Sequence, residues 1–250
     1  MKNFSLLFLI LLLLLVGSCI PSLHGIVTDE NRITDDRILG IWSTSDSPGK
    51  TIDGTMPPKI ARATDWTKPA YSHYSLGWTF ERIISVTYKI NDTQMVHTLM
   101  PNSHLPENVR IIEIDSLPFY TLIHREIMEG DTVTYDMIVS LTKINQHLLM
   151  DFQPNSESHK LFQGRFGINF IEGHSFARVE FEKGDLRISP LHSEYIEELI
   201  KQKRIRLKHE IIGEDGIILT ASSQELRDFI SNYSDDPRLF DEVEVLKPML

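Results

Sequence analysis

From Ile84 onward the chain alternates. Ile84, Val86, Tyr88 and Ile90 are apolar and Ser85, Thr87 and Lys89 are polar, the period-two pattern of a strand with one buried face. Asn91-Asp92 then supplies a turn. Similar runs follow at 95–100, 109–114, 117–127, 132–142, 146–152, 161–171, 175–182 and 185–189. Glu129-Gly130-Asp131 and Lys183-Gly184-Asp185 read as hairpin turns, because glycine adopts the positive φ that such turns require. About nine short strands separated by turns predict a mainly β fold, an antiparallel sheet closed into a barrel or folded into a sandwich.

The period changes toward the C terminus. Ser193 is placed to cap a helix through Lys203, with Glu194, Glu197 and Glu198 early and Lys201, Lys203 and Arg204 late, matching the helix dipole. Ile205, Leu207, His209 and Ile211 alternate again, Asp215-Gly216 turns, and Ile217 to Thr220 reads as a final strand. Ser222-x-x-Glu225 resembles a capping box ahead of Leu226, Phe229, Ile230 and Tyr233, which share one helical face. Asp236-Pro237 opens a last short helix. The prediction is α+β: a β unit finished by C-terminal helices. Between Thr44 and Pro69, Gly49, Gly54, Pro48, Pro57 and Pro58 among many Ser, Thr and Asp predict a long loop.

At the other end, Phe4 to Val16 is apolar except for Ser5, preceded by Lys2 and followed by Gly17-Ser18. A membrane-spanning helix needs roughly 20 apolar residues, whereas a basic start, a short apolar core and a small-residue exit mark a secretory signal peptide. Val16-Gly17-Ser18-Cys19 resembles the lipobox of bacterial lipoproteins. The resemblance implies that residues 1–18 are removed and that Cys19 becomes the lipidated first residue. Two or more acyl chains anchor a protein stably without a spanning helix. Cys19 is the single cysteine of the 250 residues, so the mature chain has no free thiol and no internal disulfide.

Composition then narrows the partners. The formal net charge is −10, and losing Lys2 with the leader makes it −11. Phosphate backbones and anionic lipid surfaces repel such a chain as a whole, which excludes nucleic acid as an expected partner. Ile20 to Asp36 is polar and without sustained periodicity, so residues 19–36 are expected to be a tether. As a flexible coil that length reaches about 20–25 Å. Residues 37–250 are read as one β-rich domain with a helical C-terminal part.

The domain opens with Leu39-Gly40-Ile41-Trp42, which resembles the first-strand Gly-x-Trp signature of lipocalin-like barrels. That resemblance implies a barrel with tryptophan closing one end; a buried tryptophan at the start of a strand is the plainer reading. The order of Leu149-Met150-Asp151-Phe152-Gln153-Pro154, then His174-Ser175-Phe176-Ala177-Arg178-Val179, then Ile218 to Leu226 is similar to envelope proteins of Bacteroidetes-type bacteria whose activity is unknown. It implies a compartment and no activity.

Chemical motifs are sparse. Gly49-Lys50-Thr51 ends like a P-loop, but Thr44 stands where the first glycine belongs and Pro57 follows too soon for a helix. Gly173-His174-Ser175-Phe176-Ala177 looks like a degenerate nucleophile elbow, yet Phe176 to Glu182 alternates as a strand, so His174 and Ser175 should point to opposite faces. The 10 histidines form no metal-binding spacing, and no metal or cofactor is implied. Trp66, Tyr71, Tyr74, Trp78 and Phe80 cluster where the long loop meets the first clear strand. Trp66, Tyr71, Tyr74 and Trp78 are candidate walls of a ligand pocket, and core packing is the competing role.

The expectation is an outer-membrane lipoprotein facing the periplasm, since Ile20-Pro21-Ser22-Leu23 after Cys19 differs from the acidic signal associated with surface export in such bacteria. Its leading role is to bind a small apolar molecule or lipid without catalysis. Holding an envelope assembly, or hydrolysis by a site assembled from distant strands, are the alternatives.

Overall fold

The computed structural model describes residues 20–44, 77–90, 93–99, 110–128, 131–155, 173–212 and 216–249. Its strands are β1 (Arg32–Ile33), β2 (Gly40–Thr44), β3 (Gly77–Ile90), β4 (Thr93–Leu99), β5 (Arg110–Met128), β6 (Asp131–Ile144), β7 (His147–Pro154), β8 (Ser175–Glu182), β9 (Asp185–Pro190), β10 (His209–Ile212), β11 (Gly216–Leu219) and β12 (Glu244–Pro248); its α-helices are α1 (Ser193–Lys201) and α2 (Ser223–Tyr233). Eight strands close an antiparallel barrel in the order β2-β3-β5-β6-β7-β8-β9-β12 and back to β2. A barrel, not a sandwich, is therefore the fold. Apart from β4 and the β10–β11 ribbon, neighbours in the ring follow chain order, which is up-and-down topology.

Strand alternation decides what fills it. Trp42, Phe80, Tyr120, Leu122, Val139, Leu141, Leu148, Met150, Ala177, Val179, Leu186, Ile188 and Leu246 form one buried cluster to which all eight strands contribute. An eight-stranded barrel is just wide enough for side chains to fill it, and this belt is filled. One end is closed by a 3-10 turn, Asp36–Ile38, whose Ile38 is fully buried in the same cluster. Trp42 Nε1 donates to the Ile38 carbonyl at 2.8 Å, and the Asp35 N–H donates to the Tyr120 hydroxyl at 2.7 Å. Arg82 pairs with Asp36 and lies 4.6 Å over the Tyr120 ring. Trp42 is thus buried at the start of its strand, as its position after Ile38-Leu39 predicts.

A second core lies outside the barrel. Leu149 and Phe176 point outward from β7 and β8 and pack with Ile196 and Leu199 of α1 and Leu226, Phe229 and Ile230 of α2. The predicted capping box is present: Glu225 N–H donates to Ser222 Oγ and Ser222 N–H to the Glu225 carboxylate. The predicted helix at Ser193 is shorter than expected, ending at Lys201, and its N-cap is His192 without a side-chain bond.

Three other expectations need correction. Residues 20–36 are not a free tether. Ile20 and Ile26 are buried in the outer core, Ser22 exchanges backbone hydrogen bonds of 2.9 and 2.7 Å with His174, and β1 pairs with β6. The segment is polar, but the strand edges of β8 and β11 satisfy its backbone groups, a partnership no local pattern records. The runs at 109–114 and 117–127 are one strand, β5, in which the pairing slips between Ile84↔Ser116 and Arg82↔Tyr120. Pro118 sits in that slip, where its missing N–H leaves no ladder bond broken. Ile217 to Thr220 is not the final strand either; β12 follows and closes the barrel between β2 and β9. The loop at 45–69, the run at 161–171, and the turns at 91–92 and 129–130 fall outside the described residues.

Beyond the plugged end, β3 and β5 continue and pair with β4 on the far edge of β3, forming a three-stranded arm. Ile84, Val86 and Tyr88 are buried on one face of it, and Met95, Ile111 and Ile114 of the same face are exposed.

Candidate functional site

From Trp42 beside the plug toward the opposite end of the barrel, inward-facing aromatic side chains stand in register on adjacent strands. Trp42 opposes Trp78, Trp78 opposes His124, and His124 opposes Tyr135. Directly opposed residues bring their Cβ atoms to about 5 Å, close enough for rings to stack. The Trp78 and His124 centroids are 4.7 Å apart with planes 26° from parallel, and His124 and Tyr135 are 5.7 Å apart at 24°. Phe80 lies 6.3 Å below Trp78. Burial falls along the row, from Trp42 at 6% exposed to Tyr135 at 37%. Trp78 Nε1 is buried and has no hydrogen-bond partner among the described residues. A buried donor left unpaired costs about 1–3 kcal/mol, so a ligand acceptor placed there would be favoured.

The outward face of β3 and β5 is buried too and carries polar side chains. Thr79 is 3% exposed, Thr121 1% and Arg125 6%, and Thr79 Oγ1, Thr121 Oγ1 and Arg125 Nη1 have no hydrogen-bond partner among the described residues. Glu81, directly opposite Thr121, has its carboxyl pushed up to about 7 by burial, against the opposing pull of the Arg125 charge. Burial in turn lowers the Arg125 pKa, while Asp136 and Glu81 favour its charged form. Glu81 can therefore exchange a proton near neutral pH from a half-buried position.

The third chemical grouping is structural. His174 Nδ1 and Asp151 Oδ1 are 2.7 Å apart, and the other Asp151 oxygen accepts the Ile26 N–H at 2.8 Å. The carboxylate is 4% exposed, one oxygen held by His174 and the other by the N-terminal segment. Ser175, paired with Phe152, belongs to the inward face, whereas His174 meets Asp151 outside. The two neighbours therefore point apart, and no nucleophile–base pair forms between them.

Of the residues named from sequence, Trp78 lies in the aromatic row; Cys19, Trp66, Tyr71 and Tyr74 lie outside the described residues. His124, Tyr135, Glu81 and Arg125 were not singled out. His124 carries a faint signal, because Tyr120, Leu122 and His124 alternate inward along β5, but only cross-strand register puts it beside Trp78. Among the described residues no group of three His, Cys, Asp or Glu side chains could hold a metal ion. No described helix is long and apolar enough to cross a membrane. The chain matches no family model, no curated protein and no solved structure.

Proposed function

We propose that this is a periplasm-facing envelope lipoprotein of the outer membrane, anchored through Cys19. Its barrel binds a small molecule with a flat apolar face and one hydrogen-bond acceptor at the Trp78 end. The observation that carries the binding role is the buried, unpartnered Nε1 of Trp78 within the aromatic row. The rings supply stacking area and the indole N–H fixes orientation. Because the belt below is filled by side chains from every strand, the ligand engages the Trp78 end and does not thread the barrel.

Native mass spectrometry of the full chain, released gently from its membrane, tests this. A small-molecule adduct should be seen, and Trp78→Phe, which keeps a ring and deletes the N–H, should weaken it about tenfold. A bare chain, or an adduct indifferent to Trp78→Phe, refutes the reading.

A second reading, an interaction module of an envelope assembly, is favoured by the arm. Met95 is 46% exposed, Ile111 44% and Ile114 38%, all beside buried Val86 and Tyr88. An apolar face of that kind suits a protein partner.

A further inference from the structure

The N-terminal segment sets where the anchor must emerge. Ser22 bridges Leu219 in parallel, with the Leu219 N–H bonded to the Pro21 carbonyl at 3.0 Å and the Leu23 N–H bonded to the Leu219 carbonyl at 2.9 Å. Counting back in parallel register sets Ile20 beside Ile217, and Ile217 is paired with Ile211 across the β10–β11 ribbon. Strands in a sheet lie about 4.8 Å apart, so the Ile211 backbone is roughly 10 Å from that of Ile20. Ile20 and Ile217 are buried at 5% and 8%, which leaves the start of the described chain no slack. Cys19 is one Cα step further, about 3.8 Å.

The end of the ribbon beside it, past the exposed Glu210, is apolar and bare. Ile211 is 69% exposed and Ile212 52%, the latter paired with Gly216 at the turn. Exposed isoleucines on a two-stranded ribbon are unfavourable in water, and each gains when transferred to an apolar phase. The approach to the ribbon carries Lys203, Arg204 and Arg206, all exposed, in a chain of net charge −10, while Lys201 and Lys208 are paired with Glu197 and Glu225. Basic residues near a lipid surface are drawn to anionic headgroups within about a Debye length.

We propose that the β10–β11 ribbon is a second membrane contact: Ile211 and Ile212 enter the lipid surface beside the acylated N terminus and seat the barrel on the bilayer in one orientation. The occupant is a lipid surface, because the anchor holds that surface within reach of the ribbon and the basic approach complements its charge. This inference rests on the lipid-anchor reading of Cys19. It replaces a swinging tether with a fixed pose.

Cys19 is the chain's single cysteine and is consumed by acylation, so an introduced cysteine takes a thiol-reactive probe alone. The test places a nitrobenzoxadiazole probe at Ile212→Cys or at Lys183→Cys in the full lipidated chain. The proteins are reconstituted in vesicles of three parts phosphatidylethanolamine to one part phosphatidylglycerol. Lys183 is 88% exposed in the β8–β9 turn, nine residues along β8 from His174, which bonds Ser22; that is about 30 Å away. Intact mass of the same samples reports acylation of Cys19. The expected result is a blue shift at position 212 and severalfold stronger quenching by spin-labelled lipid there than at 183. An acylated chain with equal, weak quenching at both positions overturns the ribbon contact and leaves the anchor standing. A chain with unmodified Cys19 overturns the anchor and the ribbon contact together.

Discussion

Replacing Glu81 by glutamine should remove a loss of stability that the wild-type chain suffers as pH rises toward neutrality. Folding raises the Glu81 carboxyl from 4.5 to about 7, chiefly by burial, with Arg125 offsetting only part of it. Between those values the native chain holds a proton that the unfolded chain has lost, so stability falls as pH rises through the window and levels off above about 7. At 1.36 kcal/mol for each pH unit, the window is worth about 3 kcal/mol, an upper bound for a carboxyl that keeps some access to water. Glutamine matches the protonated carboxyl in shape and stays neutral. The two proteins should unfold alike near about pH 4, and Glu81→Gln should be more stable by up to about 3 kcal/mol near about pH 8. Urea melts of the full chain in mild detergent at several pH values, read as the difference between variant and wild type, isolate this group. Asp35 and Glu225, whose carboxyls are lowered by hydrogen bonds to Arg37 and Ser222, act at lower pH and cancel in the difference. A constant difference from about pH 5 to 8 would refute the burial argument. A variant less stable at high pH would show that attraction to Arg125 outweighs desolvation.

Trp42→Ala should destabilise the chain by about 3–5 kcal/mol, because it empties the barrel beside the plug and frees the Ile38 carbonyl; a urea midpoint within about 0.5 kcal/mol of wild type would reject that role. Gly25→Ala should cost about 1–3 kcal/mol by crowding, since a Cβ there would lie 2.5 Å from Asp151 Oδ2 and 2.9 Å from His174. An unchanged melt would show that the N-terminal segment can lift from Asp151 freely.

What the sequence settles by itself is local. Alternation in Ile84 to Ile90 and in Phe176 to Glu182 marks strands because consecutive strand residues face opposite sides. Gly184 takes positive φ in the hairpin that its identity predicts, and Lys183 takes it beside it with no such signal; the Ser222–Glu225 box forms where its spacing predicts, since its partners are three residues apart. The single-cysteine count is equally fixed. What only the tertiary structure decides is long-range. Barrel closure needs Leu246 to meet both Thr44 and Leu186, and nothing within Glu244 to Pro248 announces two distant neighbours. The aromatic row depends on Trp78, His124 and Tyr135 sharing one level across three strands, and a register one residue different would turn His124 outward. Residues 20–36 look like a tether because their composition is polar, yet they are held by backbone bonds to His174 and Leu219. Hydrogen bonds of the main chain leave no trace in side-chain pattern, so packing against a remote strand edge is visible only once the sheet has closed.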